Sequence, residues 1–418
     1  MTRVFIHNFG CRVNQAEAFD WSEKLAEAGL MVDKDWRASD VVVVNTCGLT
    51  GRAEADVRQF LRKLHREKPS ARVVVTGCLA EKNREEYCQF GNVSAIVPNS
   101  AKENLVREVA SLTGETRRAQ EKIQPVNYRS RALVKVQDGC NARCTFCLIP
   151  YLRGPARSVP VEDIITQIEK AVVRGFKEVV LAGIHLCAYG EDLTPPVTLL
   201  NLLQEIVKME GLELLRLSSL DPRLLPENWL EFIAGEEKIC PHFHLSLQHA
   251  SPEVLKKMGR RSRPEEYAAI LDYLHRRRPE ASLGADIIVG FPGESEEDYL
   301  FLKGFLEQSP LTYFHVFSYS PRPGTPAAHW AGVSEKIKKE RATELRKISR
   351  EKNLAFKMRF LNEMRPAVMV KKNGSRAEAL TDNYIKVALN EVPAVEVRQL
   401  VEVRIKKVTP LEVTGEVV

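Results

Sequence analysis

The sequence predicts an α/β protein in three parts: an N-terminal doubly wound parallel sheet over 1–112, a central partial (β/α)6 barrel over 132–356 and a small C-terminal β-barrel over 357–418. Three observations carry this. A chain of 418 residues exceeds one ordinary core, at roughly 150 residues per domain. Up to about residue 330, short apolar runs alternate with amphipathic stretches, the pattern of parallel strands joined by crossover helices. Beyond 357 the helical period fades into short alternating stretches.

In the first part VFIH, VVVVN and RVVVT read as strands, with helices over 16–28 and 52–67. The polar, basic stretch 113–131 reads as a linker. In the second part the strands are LVKVQ, EVVLA, LLRLSS, FHLSL, ADIIVG and YFHVFSY, with helices such as 161–174 and 265–278 between them. Six strand-helix units in a row point to a β/α barrel with its reactive groups on the loops after the strands. The stretch 335–357 carries nine Lys/Arg and four Glu and reads first as a solvated helix face. AVMVK, YIKVAL and LVEVRIKKV supply the strands of the last part.

A net charge of only +6 implies no massive polyanion-binding surface, so any nucleic-acid contact has to come from local clusters of Lys and Arg. MTRVFIHNFG has neither the apolar core of a secretory signal nor the pattern of a transit peptide, and no run reaches the roughly 18 apolar residues that span a bilayer. The expectation is a cytoplasmic protein with no membrane partner. In that reducing compartment clustered cysteines point to metal or redox chemistry rather than disulfides, and the cysteines number nine, an odd count.

Three of them fall within DGCNARCTFC: Cys140, Cys144 and Cys147, on one loop just after the first barrel strand. Structural zinc asks for four ligands, and only Cys144 and Cys147 form a CxxC pair, so His185 and Cys187 would have to complete the site through the fold. A redox CxxC leaves Cys140 unexplained. A 4Fe-4S cube held by three thiolates keeps its last iron open to a substrate, while zinc and plain redox thiols stay as alternatives. Cys11, Cys47 and Cys78 each lie two or three residues past a strand, 36 and 31 residues apart. In a parallel sheet they converge at the carboxyl edge as a second three-thiolate set; the alternative is small buried core cysteines. Cys88, Cys187 and Cys240 show no such pattern and read as structural.

CxxxCxxC with an aromatic before the last cysteine resembles the signature of the radical S-adenosylmethionine enzymes. The resemblance implies that Cys140, Cys144 and Cys147 hold a 4Fe-4S cluster whose free iron chelates S-adenosylmethionine, which reduction cleaves to a 5′-deoxyadenosyl radical. With the second thiol set on Cys11, Cys47 and Cys78 and the C-terminal barrel, the whole chain resembles the methylthiotransferases. These replace C–H by C–S–CH3 and use two 4Fe-4S clusters and S-adenosylmethionine. The last part then resembles their RNA-binding TRAM domain.

FGCRVNQAE, VQDGCN, GIHLCAYGEDL and CPHFHLSLQ are similar to the branch acting on threonylcarbamoyladenosine in tRNA. This implies a methylthio group placed at C2 of that nucleoside beside the anticodon, with the tRNA anticodon stem-loop and an electron donor such as flavodoxin or ferredoxin as partners. The alternatives are isopentenyladenosine in tRNA, an aspartate of a ribosomal protein and, in another class, a non-catalytic iron-sulfur RNA-binding protein. His249 and Ala250 depart from the branch toward the ribosomal-protein modifiers, Asp221 stands where Glu is common, and Cys187 stands where Gly is common. For S-adenosylmethionine the expected contacts are Gly183, Ser219, Gln248 and Asp286 at strand ends, each with an ordinary polar cap as its alternative. Arg322 in SYSPRPGTP is the candidate toward substrate. Tyr384 with Lys371, Lys372, Arg376 and Lys386 combines a stacking ring with positive charge for RNA, beside the alternative of a core aromatic with solvated lysines.

Overall fold

A computed structural model describes residues 2–48, 50–80, 82–113, 130–374 and 376–418. The expected linker therefore lies, apart from its ends, outside the described residues. The chain forms two compact units, the first reaching Tyr128 and adding Asp138–Ala142 and Cys147–Ala156, the second made of Arg129–Gln137, Arg143–Phe146 and Arg157–Val418. Cys140 and Cys147 thus belong to the first unit and Cys144 to the second. Among the described residues no helix is long and apolar enough to cross a membrane.

The first unit is built on five strands, β1 (Arg3–Asn8), β2 (Met31–Val32), β3 (Val41–Thr46), β4 (Arg72–Gly77) and β5 (Val93–Val97), in the order β2-β1-β3-β4-β5 and all parallel. Successive side chains of β3 point to opposite faces, and both faces are apolar, so helices must cover both. Val42 and Val44 meet Val57, Leu61 and Leu64 of the helix Gly51–Glu67. Val41 and Val43 meet Trp21 and Leu25 of the helix Arg12–Glu27 and Leu105 and Val109 of the helix Leu105–Thr113. The helix expected over 16–28 begins at Arg12, directly after Cys11; its polar first turn, RVNQ, hides the apolar period there.

In the second unit β6 (Ala132–Asp138), β7 (Arg157–Ser158), β8 (Glu178–Gly183) and β9 (Leu214–Leu217) form one sheet, and β10 (His242–Gln248), β11 (Ser282–Val289) and β12 (Tyr313–Ser318) another. The six longer strands are the six read from the sequence. Bridges at Leu215–Ile239 and Leu220–Leu245 carry the curve from one sheet to the other, giving a partial parallel barrel. The basic segment is the helix Glu335–Met358, and its polar residues are not all solvated: Lys338 and Arg341 are buried, with Arg341 paired to Glu294 and Glu296.

The closing part is a closed barrel of β13 (Met364–Asn373), β14 (Arg376–Thr381), β15 (Lys386–Leu389), β16 (Leu400–Val408) and β17 (Val413–Val417). Alternation turns Ala377, Ala379, Val401, Val403 and Ile405 inward. It docks on the partial barrel through the turn after β14. Arg216, fully buried on β9, is held by Glu178 at 2.6 Å and donates to the carbonyls of Asp382 and Thr381 at 2.8 and 3.3 Å.

Removing one partner of a buried ion pair leaves an uncompensated charge, at a cost of about 3–5 kcal/mol. Arg216→Met is expected to destabilise the chain by that order in urea unfolding, and the double variant Arg216→Met, Glu178→Met to recover most of the loss.

Candidate active site

The strand order β2-β1-β3-β4-β5 reverses direction between β1 and β3, the switch point at which open α/β sheets bind ligands beyond the strand carboxyl ends. Cys11 and Cys47 follow those two strands, and Cys78 follows β4 next to them. The backbone is drawn tight there. Gly10 has φ +98° and a Cβ on it would lie 2.6 Å from Cys47 Sγ; Gly77 has φ +95° and a Cβ would meet the Thr46 carbonyl oxygen at 2.4 Å. Only glycine fits either position.

Behind the thiols lies a buried polar wall. Asn14, two residues into the helix after Cys11, donates to the carbonyls of Phe9 and Thr46 at 2.9 Å each, and its Oδ1 lies 3.7 Å from Cys11 Sγ. Arg153, at the end of the helix Ile149–Arg153, donates through Nε to Cys78 Sγ at 3.3 Å. Its other nitrogens reach Asn14 Oδ1, Glu17 at 3.1 Å and Asp138 at 2.7 Å. Lys102 closes on Glu17 at 2.6 Å. Burial pushes the Cys11 thiol up and the Arg153 charge opposes that push. Burial works against the guanidinium too, but Glu17 first, then Cys78, Asp138 and Cys11, outweigh it and keep it charged.

Among the described residues no three His, Cys, Asp or Glu side chains close on a point that suits a single metal ion. A cube with an iron at each corner asks for something else: thiols spread around it, with hydrogen-bond donors to their sulfurs. Three cysteines at adjacent strand ends, backed by an arginine that donates to one of them, fit that demand.

The CxxxCxxC loop is pinned within each unit. In the first, the Cys140 amide donates to the Gly154 carbonyl at 3.2 Å and Cys140 Sγ accepts from the Ala142 amide at 3.4 Å. In the second, Thr145 beside Cys144 donates from its amide to the Met258 carbonyl and from its hydroxyl to the Lys257 carbonyl, at 3.0 and 2.8 Å. Arg260 lies 3.9 Å from Cys144 Sγ.

Of the four residues expected to meet S-adenosylmethionine, Gly183, Ser219 and Gln248 lie at the carboxyl edge of the partial barrel. The neighbour of Ser219, Ser218, is the one that accepts from the Gly183 amide, at 3.3 Å, while Ser219 itself is exposed. Gln248 has φ +73°, a sparsely populated conformation that costs energy and clusters at ligand sites. Asp286 departs from the expectation. It sits inside β11, three residues before its end, and pairs with His244 Nε2 at 3.1 Å, because β11 runs on to Val289.

Sequence reading missed the hub of this edge, Asp221. Its carboxylate takes Arg223 in two bonds at 2.9 and 2.6 Å, His185 at 3.1 Å and Arg260 at 3.3 Å. Burial works to raise its pKa, but Arg223, His185 and Arg260 outweigh burial and hold the carboxyl far below the usual range. Its amide donates to Cys187 Sγ at 3.2 Å, so two positions that depart from the family pattern touch each other. His249 is fully buried, 3.6 Å from Glu294.

Arg322 is buried in the loop after β12. Tyr384 is not gathered with Lys371, Lys372 and Arg376, three of the four basic residues expected beside it. Its ring stacks on His242 at 4.1 Å and lies 5.1 Å from the Arg216 guanidinium, at the docking turn. Lys371, Lys372 and Arg376 sit by the β13–β14 hairpin, at the other end of β14, about 20 Å away at a strand rise near 3.3 Å per residue. Lys372 pairs with Glu396 and Lys386 with Glu378. Proximity in sequence to Thr381 and Ile385 concealed this, since a six-residue strand separates the two groups.

A parallel partial barrel whose first strand leads into CxxxCxxC defines a radical S-adenosylmethionine enzyme, and residues 134–305 match the Radical SAM superfamily. Residues 3–98 match Uncharacterized protein family UPF0004. The chain is 38% identical to the threonylcarbamoyladenosine tRNA methylthiotransferase MtaB of Aquifex aeolicus, over 92% of this chain and 96% of that protein. It is 34% identical to the ribosomal protein uS12 methylthiotransferase RimO of Moorella thermoacetica, over 82% and 83%. The structure of the radical S-adenosylmethionine methyltransferase TsrM of Kitasatospora setae shares the fold at a TM-score of 0.58 and 15% identity, over 78% of this chain and 75% of that one. The chain belongs to the methylthiotransferase family of radical S-adenosylmethionine enzymes. It is a transferase whose cofactors are S-adenosylmethionine and 4Fe-4S clusters.

The remaining cysteines separate by exposure. Burial pushes the Cys187 thiol up to about 12, and the Cys240 thiol up as well, whereas Cys88 is exposed. Since the thiolate is the reactive form, iodoacetamide at pH 8 is expected to label Cys88 at once and Cys187 and Cys240 only after denaturation, as read by peptide mass spectrometry.

Proposed function

We propose that this enzyme places a methylthio group at C2 of N6-threonylcarbamoyladenosine beside the anticodon of tRNA. The observation that carries the reading is the set of three thiols gathered at the switch point of the first unit, in a chain that also carries CxxxCxxC. Cys140, Cys144 and Cys147 hold one 4Fe-4S cluster and Cys11, Cys47 and Cys78 a second. When bound, these groups and S-adenosylmethionine supply the radical and the methyl group, and the cluster on Cys11, Cys47 and Cys78 is the platform or source of the inserted sulfur.

The chain's own residues orient and enclose. Gly183, Ser219 and Gln248 present polar groups to S-adenosylmethionine at the barrel edge, and Asp221 fixes His185, Arg223 and Arg260 around them. Arg322 steers the substrate side of the edge. The three domains are 1–112, 132–356 and 357–418, and the last is a TRAM-like RNA-binding barrel that offers Lys371 and Arg376, both exposed, to the anticodon stem-loop. Flavodoxin or ferredoxin donates the electrons, and the reaction takes place in the cytoplasm.

The substrate assignment follows the Aquifex aeolicus relative. His249, the departure toward the ribosomal-protein modifiers, is buried against Glu294 and away from solvent, so it bears on packing. Nucleoside mass spectrometry of tRNA from cells lacking the protein is expected to show threonylcarbamoyladenosine without its 2-methylthio derivative. The wild-type chain restores it. Cys144→Ala restores neither product nor 5′-deoxyadenosine formation, while Cys47→Ala restores 5′-deoxyadenosine formation alone. A tRNA profile unchanged by deletion would refute the substrate assignment.

A further inference from the structure

Beside the N-terminal thiols sit buried charges that the chemistry above does not use. The Arg153 side chain is completely buried, and so nearly is Glu17, at 2% exposure. Lys102 and Asp138 complete a group of two cations and two carboxylates. Apolar side chains of similar volume would hold such a site as well or better, since desolvation offsets most of the attraction in a buried ion pair. Stability therefore does not account for the charges.

Their placement does suggest a use. The Arg153 Nε–H points at Cys78 Sγ, at 3.3 Å. The potential of an iron-sulfur cluster is set by net charge, hydrogen bonds to its sulfurs and solvent exposure. Arg153 supplies the first two and its burial strengthens both, because a charge acts further at low dielectric. Glu17 holds Arg153 and Lys102 together and opposes them in sign.

We propose that Arg153 is a positioning residue that sets the reduction potential of the cluster held by Cys11, Cys47 and Cys78, raising it, with Glu17 as the counterweight. This rests on the reading that those cysteines hold a 4Fe-4S cluster. Reduction adds one electron from an external reductant to the buried site, with no bond made or broken; the guanidinium stabilises the added negative charge.

The test uses the full chain carrying Cys144→Ala, loaded anaerobically with iron and sulfide so that only the N-terminal cluster is complete, and titrated with dithionite while electron paramagnetic resonance follows the reduced form. Arg153→Met is expected to make reduction at least tenfold harder, a shift of about 59 mV to more negative potential for one electron. Arg153→Lys should stay nearer the parent, and Glu17→Gln should shift the potential the opposite way. A merely structural role would not reverse sign between Arg153→Met and Glu17→Gln. Unchanged potentials, or two shifts in the same direction, would overturn the proposal. If Arg153→Met fails to retain iron, Glu17→Gln alone decides: a positive shift supports the proposal and any other result overturns it. A Cys144→Ala chain that takes up no cluster would overturn the cluster reading and the proposal with it, and that outcome is distinct from a potential that does not move.

Discussion

The polarity of parallel strands is the constraint on which the rest of the molecule depends. In a parallel sheet every strand releases the chain at the same edge, so residues a whole strand-helix unit apart in sequence arrive side by side. In the first unit this brings Cys11, Cys47 and Cys78 to the edge beyond β1, β3 and β4. In the second it brings Gly183, Ser218, Asp221 and Gln248 to the edge beyond β8, β9 and β10. The valine-rich strands are what enforce it. Both faces of β3 and β4 are apolar, and the hydrophobic effect leaves no arrangement except helices on each side and the loops at the ends.

Against that apolar frame the buried charges stand out, and they fall into separate groups by what they touch. Arg216 and Glu178 meet backbone carbonyls of the C-terminal barrel, so their charge fixes one domain of the second unit on another. Arg223, His185 and Arg260 converge on Asp221, which locks the loops at the barrel edge into one arrangement. Arg153 donates to Cys78 Sγ at 3.3 Å, and Arg260 also reaches Cys144 Sγ at 3.9 Å, both thiols proposed as ligands. Each group carries a desolvation cost that a neutral core would avoid, and each lies where docking, loop order or a metal-binding thiol gives that cost a return.

How much of this was legible in the sequence follows from what kind of pattern each feature makes. The strands were legible, since runs such as VVVVN and RVVVT are short, continuous and punctuated by Gly or Thr. The strand-end placement of Cys11, Cys47 and Cys78 was legible because their spacing repeats with the strand-helix unit, whereas Cys140, Cys144 and Cys147 show as a local CxxxCxxC. What escaped was pairing across the fold. Asn14 and Glu17 are three apart on the buried stripe of the helix Arg12–Glu27, a polar interruption that can be seen once the helix is known to start at Arg12. Their partners Lys102 and Arg153 lie 85 and 136 residues from Glu17, and no local pattern joins them. Asp286 was misplaced because β11 continues past it, and Tyr384 because a single strand, β14, separates it from the basic hairpin.

One chain carries two three-thiolate sets, Cys11, Cys47 and Cys78 at three strand ends and Cys140, Cys144 and Cys147 on one loop. Iron analysis with Mössbauer spectroscopy tests this most directly. Two 4Fe-4S clusters give about eight irons in the anaerobically loaded wild-type chain, and about half that number is expected both when Cys11, Cys47 and Cys78 are all alanine and when Cys140, Cys144 and Cys147 are. A chain lacking Cys11, Cys47 and Cys78 that still binds the full complement of iron would contradict it.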